Sequence, residues 1–514
     1  MKIERTKNAT RNIIFGWIVK IYQIFVPFLL RTAMIYFMGI EYVGLNSLFT
    51  SVLQVLNLAE LGVGSAMVYS MYKPIAENDT NTICALMKLY KTYYHIIGLV
   101  IAVIGVILTP FIPRLISGEV PNEINVYILY LMHLGATVLS YWLFAYKNSI
   151  LQAHQRVDVI NKVTLITNTI QYILQFLTLV IFHNYYLYIL ISLFTQALTN
   201  ILTAVEADRM YPNYKAKGKL EKRVVQDINH RIRDLFTSKV GTVIVSSVDT
   251  IVISAFLGLT VLAIYQNYFY IMKSIIQFVA IIFTACMAGI GNSIITESRE
   301  KNFNDLKKFT FLVCWLTGFC TCCFLCLYQP FMKIWVGEDL MLDFLAVILF
   351  CLYFYIYEIN QLLNTFKDAA GIWHEDRFRP LVVAIFNLCM NLILVQIWGI
   401  YGVLLASVIA WVFIGLPWLL HNLFTVLFEK SSLKIYLRKL FSYTVVVLVS
   451  CIICCMICSL VNLGDWITFI IRLLICCIVP NVFYFLVYRK KPEFKQCVQL
   501  LDKMSGNKFN LEKW

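Results

Sequence analysis

From residue 13 to residue 488 the chain is a near-unbroken succession of apolar runs, separated by short polar turns. Crossing the hydrocarbon of a bilayer takes about 20 apolar residues as helix. Hydrocarbon offers backbone N–H and C=O groups no partner except one another, so runs of this kind resolve into a bundle of membrane-spanning α-helices. Fourteen spans are predicted, over roughly 13–38, 44–71, 92–112, 123–146, 160–182, 186–206, 235–257, 261–295, 309–328, 344–366, 380–398, 401–427, 441–461 and 466–488. Of the 514 residues 60% are hydrophobic and 14% charged, more apolar surface than a soluble domain hides. No hydrophilic stretch is long enough for a separate soluble domain. The basic opening MKIERTKNATRN runs straight into an apolar run too long for a signal-peptide core and without a small-residue cleavage site, so a retained first helix is expected.

Charge placement tests the span count. Of 43 Lys and Arg, 36 fall in turns on the side of the N-terminus, two (Arg114, Lys333) on the other side, and five (Lys20, Arg31, Lys239, Lys273, Arg472) inside spans. Cytoplasmic loops of membrane proteins hold the cations, so both termini are expected in the cytoplasm. The net charge of +14 then reflects topology and anionic headgroups, not nucleic acid. The 16 Cys lie mostly inside apolar runs, and CIICC at 451–455 only loosely resembles a metal-ligand spacing. A thiolate cluster in hydrocarbon needs a metal to offset its charge, so these cysteines are read as small packing residues, with no metal and no disulfide framework.

A weak internal repeat orders the chain. FMGIEYVGLN (37–46) is similar to FLGLTVLAIYQN (256–267), and each precedes a long helix with a glycine pair, Gly62/Gly64 or Gly289/Gly291. AHQRVDVINK (153–162) is similar to WHEDRFRPL (373–381). Spans one to six and seven to twelve then form two six-helix lobes. An even number of spans per lobe makes them parallel pseudo-repeats about an axis along the membrane normal. The expected divisions are a lobe over 1–209, a basic cytoplasmic connector over 210–232 containing an interfacial helix, a second lobe over 233–428, and an appendage over 429–514 of two further spans and a basic tail whose apolar residues also recur at helical spacing.

No Walker loop, dinucleotide glycine pattern, HExxH or GxSxG is present, and the loops opposite the termini are short. Such a chain moves something; it does not make it, and no cofactor is expected. Ionisable groups inside spans mark function by default. Arg31 and Glu60 sit in the first two spans, with Glu60 just before Gly62-Val63-Gly64. Asp249 is mid-span in the seventh helix, Lys273 lies deep in the eighth and Glu358 in the tenth. Aligning the repeat through Gly39 and Gly258 puts Asp249-Thr250 within one residue of Arg31-Thr32. Lys20, Lys239 and Arg472 are near span ends, where long side chains snorkel to the interface.

The stretch PFLLRTAMIYFMGIEYVGLNSLFTSVLQVLNLAELGVGSAMVYSMYKPIAENDTNTICALMKLYKTYY (27–94) resembles the first two helices of bacterial polysaccharide flippases of the multidrug/oligosaccharidyl-lipid/polysaccharide exporter superfamily. VDTIVISAFLGLTVLAIYQNY (248–268) resembles the start of their second lobe, and YKNSILQAHQRVDVINK (146–162) their turn between spans four and five. The resemblance covers residues ~10 to ~430, and the two extra helices resemble the fourteen-helix members, which include lipid II flippases.

This resemblance implies a transporter of the bacterial cytoplasmic membrane that moves undecaprenyl-pyrophosphate-linked oligosaccharide outward by alternating access, without ATP. Family members line their cavity with helices that here hold Arg31, Glu60, Lys239, Asp249 and Lys273. Arg31 and Lys273 are expected to bind the pyrophosphate. Glu60 or Asp249 would pair with them when the site is empty, and coupling to a proton or sodium gradient through Glu60, Asp249 or Glu358 is implied. Membrane lipids, a polysaccharide polymerase and glycosyltransferases are the expected partners. The alternatives are a cation-coupled multidrug antiporter or lipid II flippase of the same superfamily, and a non-transporting scaffold.

Overall fold

The computed structural model describes residues 5–118 and 120–504, with helices and connections and no strand among the described residues. Part of the basic N-terminus and the tail lysines Lys508 and Lys513 lie outside them. The chain divides into two compact units, Met1–Ala263 and Ile264–Trp514.

In the first unit the helices are α1 (Arg5–Phe37), α2 (Ile40–Leu56), α3 (Val63–Glu77), α4 (Thr80–Leu108), α5 (Val126–Trp142), α6 (Asn148–Ala153), α7 (Val157–Leu177) and α8 (Tyr185–Met210). Then α9 (Lys222–Thr296) runs through the boundary. The second unit continues with α10 (Arg299–Val336), α11 (Phe344–Ala369), α12 (Arg379–Ala410), α13 (Leu416–Val426), α14 (Ser432–Ser459), α15 (Asp465–Tyr488) and α16 (Pro492–Met504).

Eleven helices are long and apolar enough to cross a membrane, and α5 with α6, bent by 48°, makes a twelfth. Two of these contain a glycine with non-helical dihedrals: Gly258 (φ 87°, ψ 175°) in α9 and Gly399 (φ 54°, ψ −128°) in α12. The α9 run has 75 residues and the run from Arg379 to Val426 has 48, each enough for two spans. Counting those two runs twice gives the fourteen spans expected. This is an all-α polytopic membrane protein.

The connector departs from its expectation. Residues 211–221 are irregular, and from Lys222 the chain is already in α9. The helical spacing of Val224, Ile228, Ile232 and Leu235 therefore belongs to an extension of the seventh span; it does not make a separate interfacial helix. The turn between the first two predicted spans, 13–38 and 44–71, is shorter than expected as well. Only Gly39 leaves the helical region (φ 122°, ψ 161°), and α2 starts at Ile40. Gly44 lies inside α2, where a Cβ would come within 2.4 Å of the Leu259 carbonyl oxygen. Its role is close backbone approach, not turning.

The repeat is visible in local geometry. Gly39 and Gly258 both take a positive φ with ψ near extended. The two matched turns each hold an Arg–Asp pair. Arg156 Nε donates to Asp158 Oδ1 at 3.0 Å, and Arg379 donates twice to Asp376, Nε to Oδ1 at 2.7 Å and Nη2 to Oδ2 at 2.8 Å. The symmetry fails at the glycine pairs: Gly62 breaks its span, whereas Gly289 and Gly291 stay inside α9.

In the second unit α10 packs on α11, α14 and α15. Gly318 of α10 lets the Tyr484 hydroxyl and Val447 come within 2.6 Å of where a Cβ would stand. Trp315 Nε1 donates to Asn481 Oδ1 at 2.8 Å, and Phe494 of α16 stacks on Trp315. The last two spans are thus part of this unit's core, not an appendage, and the tail's helical spacing forms α16 against α10. Phe413 and Phe441 are 70% and 71% exposed, the kind of surface a bilayer covers.

Candidate functional site

The second span does not cross as one helix. After α2 the chain tightens into a 3-10 turn, Asn57–Glu60, passes Gly62 in the left-handed region (φ 89°), and resumes as α3. Short 3-10 stretches inside long helices mark hinges and sites. Gly62 is required twice over, by its φ and by space, because a Cβ there would meet Leu235 Cβ at 2.7 Å and the Ile232 carbonyl oxygen at 3.1 Å. The break thereby seats the segment of α9 that carries Lys239.

The break opens a cavity of about 240 Å³ in the first unit, lined by Glu60, Gly64, Ser65, Tyr90, Tyr94, Gln152 and Lys239 among others. Tyr90 donates to Tyr94 at 2.5 Å, and Tyr94 donates to Glu60 Oε1 at 3.0 Å. Gly64 faces this relay; a Cβ there would lie 3.0 Å from the Tyr90 hydroxyl and 3.4 Å from Glu60 Oε1. On the other wall Lys239 Nζ donates to Ser65 Oγ at 3.5 Å, and its charge acts on Glu60. Tyr141 donates to Asn57 Oδ1 at 3.2 Å, tying the 3-10 turn to α5.

An acid and a cation thus share one small polar cavity. Lys239 is exposed at the cavity wall, and its charge draws anions there, including the Glu60 carboxylate. At this volume the site accommodates an ion or a phosphate-sized group and falls below the usual size of a small-molecule pocket.

The structure brings Glu60 and Lys239 together. Lys239 reaches into the cavity, although its place near a span end also fits snorkelling. Arg31 is half-buried on α1, with its charge reaching Tyr188 of α8. Asp249 is half-buried on α9. Neither is among the residues lining the cavity. Lys273 is exposed on α9, within the second unit. Glu358 is 1% exposed on α11, and its Oε1 is buried with no hydrogen-bond partner among the described residues. The sequence reading missed Tyr90, Tyr94, Ser65 and Gln152. The i, i+4 tyrosines of KLYKTYY were the available signal, masked by the abundance of tyrosine at membrane interfaces.

No protein-family model and no curated protein matches the chain. Solved structures do. A lipid II flippase, MurJ, in an inward closed conformation aligns with TM-score 0.67 at 16% identity, over 93% of this chain and 99% of that one. A multidrug resistance transporter of the MATE family in the MOP superfamily, inward-facing, aligns at 0.64 and 13% identity, over 81% of this chain and 98% of that one. A MOP superfamily transporter from Pyrococcus furiosus, described for a binding pocket of reverse polarity, aligns at 0.52 and 12% identity, over 82% and 96%. At these identities the likeness is one of fold, and the chain has the polytopic helical fold that these transporters share.

Proposed function

We propose that the chain is a flippase of the bacterial cytoplasmic membrane that carries a pyrophosphate-linked saccharide lipid from the inner to the outer leaflet by alternating access, with both termini cytoplasmic. The observation that carries this reading is Lys239 beside Glu60 in one polar cavity. A pyrophosphate is a dense anion, and a lysine holds it by charge-assisted hydrogen bonds. With the site empty, Glu60 balances Lys239. With pyrophosphate present, Lys239 turns to the substrate and Glu60 is released to take a proton or a sodium ion, which couples the cycle to a gradient. An antiporter of organic cations has no use for a fixed cation next to its acid.

Arg31 and Lys273 keep the pyrophosphate-binding role that the family resemblance implies, and Asp249 and Glu358 keep a coupling or pairing role. The substrate is an undecaprenyl-pyrophosphate-linked oligosaccharide destined for a surface polysaccharide, handed over by glycosyltransferases and passed to a polymerase.

The test uses purified protein in vesicles, offered a pyrophosphate-linked saccharide lipid or an organic cation. The wild type is expected to move the lipid, and Lys239→Gln to lose at least about tenfold in rate, the effect of about 1.4 kcal/mol of lost binding. Undiminished transport by Lys239→Gln overturns the switch. Transport of the organic cation alone establishes an antiporter, and transport of neither, with cavity charges dispensable in cells, establishes a scaffold.

A further inference from the structure

Four cysteines far apart in sequence meet inside the second unit: Cys326 of α10, Cys454 and Cys458 of α14 and Cys476 of α15. All four are buried, and their Sγ atoms all lie within 4.8 Å of one another. Cys454 and Cys476 approach to 3.7 Å. Cys454 and Cys458 are four apart on one helix, so one face of α14 supplies adjacent ligands. A tetrahedral S₄ site with metal–sulfur bonds of about 2.3 Å places its sulfurs roughly 3.8 Å apart; the Cys454–Cys476 pair already has that spacing, and the whole set lies within 4.8 Å, a short contraction away. An iron–sulfur cluster, whose sulfide core sits between the ligands, needs the sulfurs farther apart. No disulfide occupies these positions, as all 16 cysteines are free.

We propose that Cys326, Cys454, Cys458 and Cys476 bind a thiophilic d¹⁰ cation, Zn²⁺ or Cu⁺, and that the bound ion clamps α10, α14 and α15 together. Thiolate donors select these soft ions over Mg²⁺ or Ca²⁺. Binding exchanges thiol protons for metal–sulfur bonds, the protons leaving to solvent, with no change of oxidation state.

The charge left on the site has a local counterpart. Arg472 stands one turn before Cys476 on α15, and its charge reaches Cys455 and Cys458. Its Nη2 donates to the Val461 carbonyl oxygen at 3.0 Å, while its Nε is buried with no hydrogen-bond partner among the described residues. A guanidinium held this way offsets one negative charge. It balances Cu⁺ with two thiolates outright, and Zn²⁺ with three thiolates and one thiol. Cys458 lies in the last turn of α14, so the connection between α14 and α15 is the natural entry path. Ser450 and Cys451 flank the site, each in contact with Cys322 Sγ, at 3.6 and 3.5 Å.

The experiment is elemental analysis of the purified full-length protein, followed by stripping with a chelator and reloading with Zn²⁺, Cu⁺ under reductant, or Co²⁺. About one Zn²⁺ or Cu⁺ per chain is expected, and the reloading arms tell which ion binds. Co²⁺ should give a sulfur-to-metal charge-transfer band. Cys326→Ser and Cys476→Ser should each lose the metal, while Cys389→Ser, an exposed cysteine of α12, keeps it. A folded wild type that carries no stoichiometric thiophilic metal and takes up no Co²⁺ overturns the proposal, and so does metal retained in both serine variants. The wild-type measurement holds whether or not a serine variant reaches the membrane.

Discussion

At the scale of the residue, two positions show how much one atom decides. Gly62 takes a φ that L side chains rarely adopt, and a Cβ there collides with Leu235. Gly62→Ala combines backbone strain with overpacking, so a loss of about 1–3 kcal/mol is expected, read as a lower thermal midpoint in detergent together with lost transport. An unchanged midpoint would show that the break is not held by this glycine. His154 lies between spans, its ring against Tyr211 at 4.2 Å, with Nδ1–H donating to the Ile150 carbonyl at 2.9 Å. Burial pushes its pKa below the ordinary value. A depressed histidine pKa makes the unfolded chain the better proton acceptor. Its contribution to stability is therefore full above about pH 6.5, the value in the unfolded chain, and is lost as pH falls from there through the lower pKa of the folded state. The wild-type thermal midpoint should drop more between pH 7 and pH 5 than that of His154→Phe; equal slopes would refute this. The glycine pair Gly62/Gly64 was legible in sequence as a mark. That one glycine makes the break and the other clears room for Tyr90 depends on which neighbours face them.

At the scale of the element, the turns between spans four and five and between ten and eleven repeat one device, an arginine against a buried aspartate. In the second copy Asp376 also accepts from Asn422 Nδ2 at 3.0 Å and pairs with Lys367 at 3.3 Å. Removing one member of a buried pair leaves an uncompensated charge. Lys367 keeps part of the Asp376 charge compensated, so Arg379→Ala, with both partners almost wholly buried, should cost about 3 kcal/mol, the low end for a broken buried pair. Arg156→Ala should cost less, because that guanidinium is partly exposed. Thermal unfolding of the two variants checks the order, and the reverse order would count against burial as the cause. The repeat was legible in AHQRVDVINK and WHEDRFRPL because both carry Arg and Asp within a few residues. The join of the connector to α9 was not, since a basic amphipathic stretch reads alike as an interfacial helix or as the start of a long one.

At the scale of the whole molecule, the lopsided placement of Lys and Arg makes a prediction independent of substrate. Reporters active only in the cytoplasm should work when fused after residue 504 or inserted within 211–221, and should fail when inserted within 120–125 between α4 and α5. Activity in the last position overturns the orientation. The closing pair α14 and α15 builds the core of its unit with α10. Hydropathy cannot distinguish such helices from an add-on, because two apolar spans look the same whether they face lipid or protein.

The sequence by itself determined the class, the fourteen spans and the expected sidedness. Each follows from local quantities: the length of an apolar run, the lack of backbone partners in hydrocarbon, the signs of the charges in the turns. The tertiary structure alone decided which side chains meet. That Lys239 and Glu60 line one cavity depends on helix rotation and on one break at residues 57–62, and that four cysteines from three helices converge depends on the rotation of each helix about its axis. Packing sets those angles, and no window of sequence contains them.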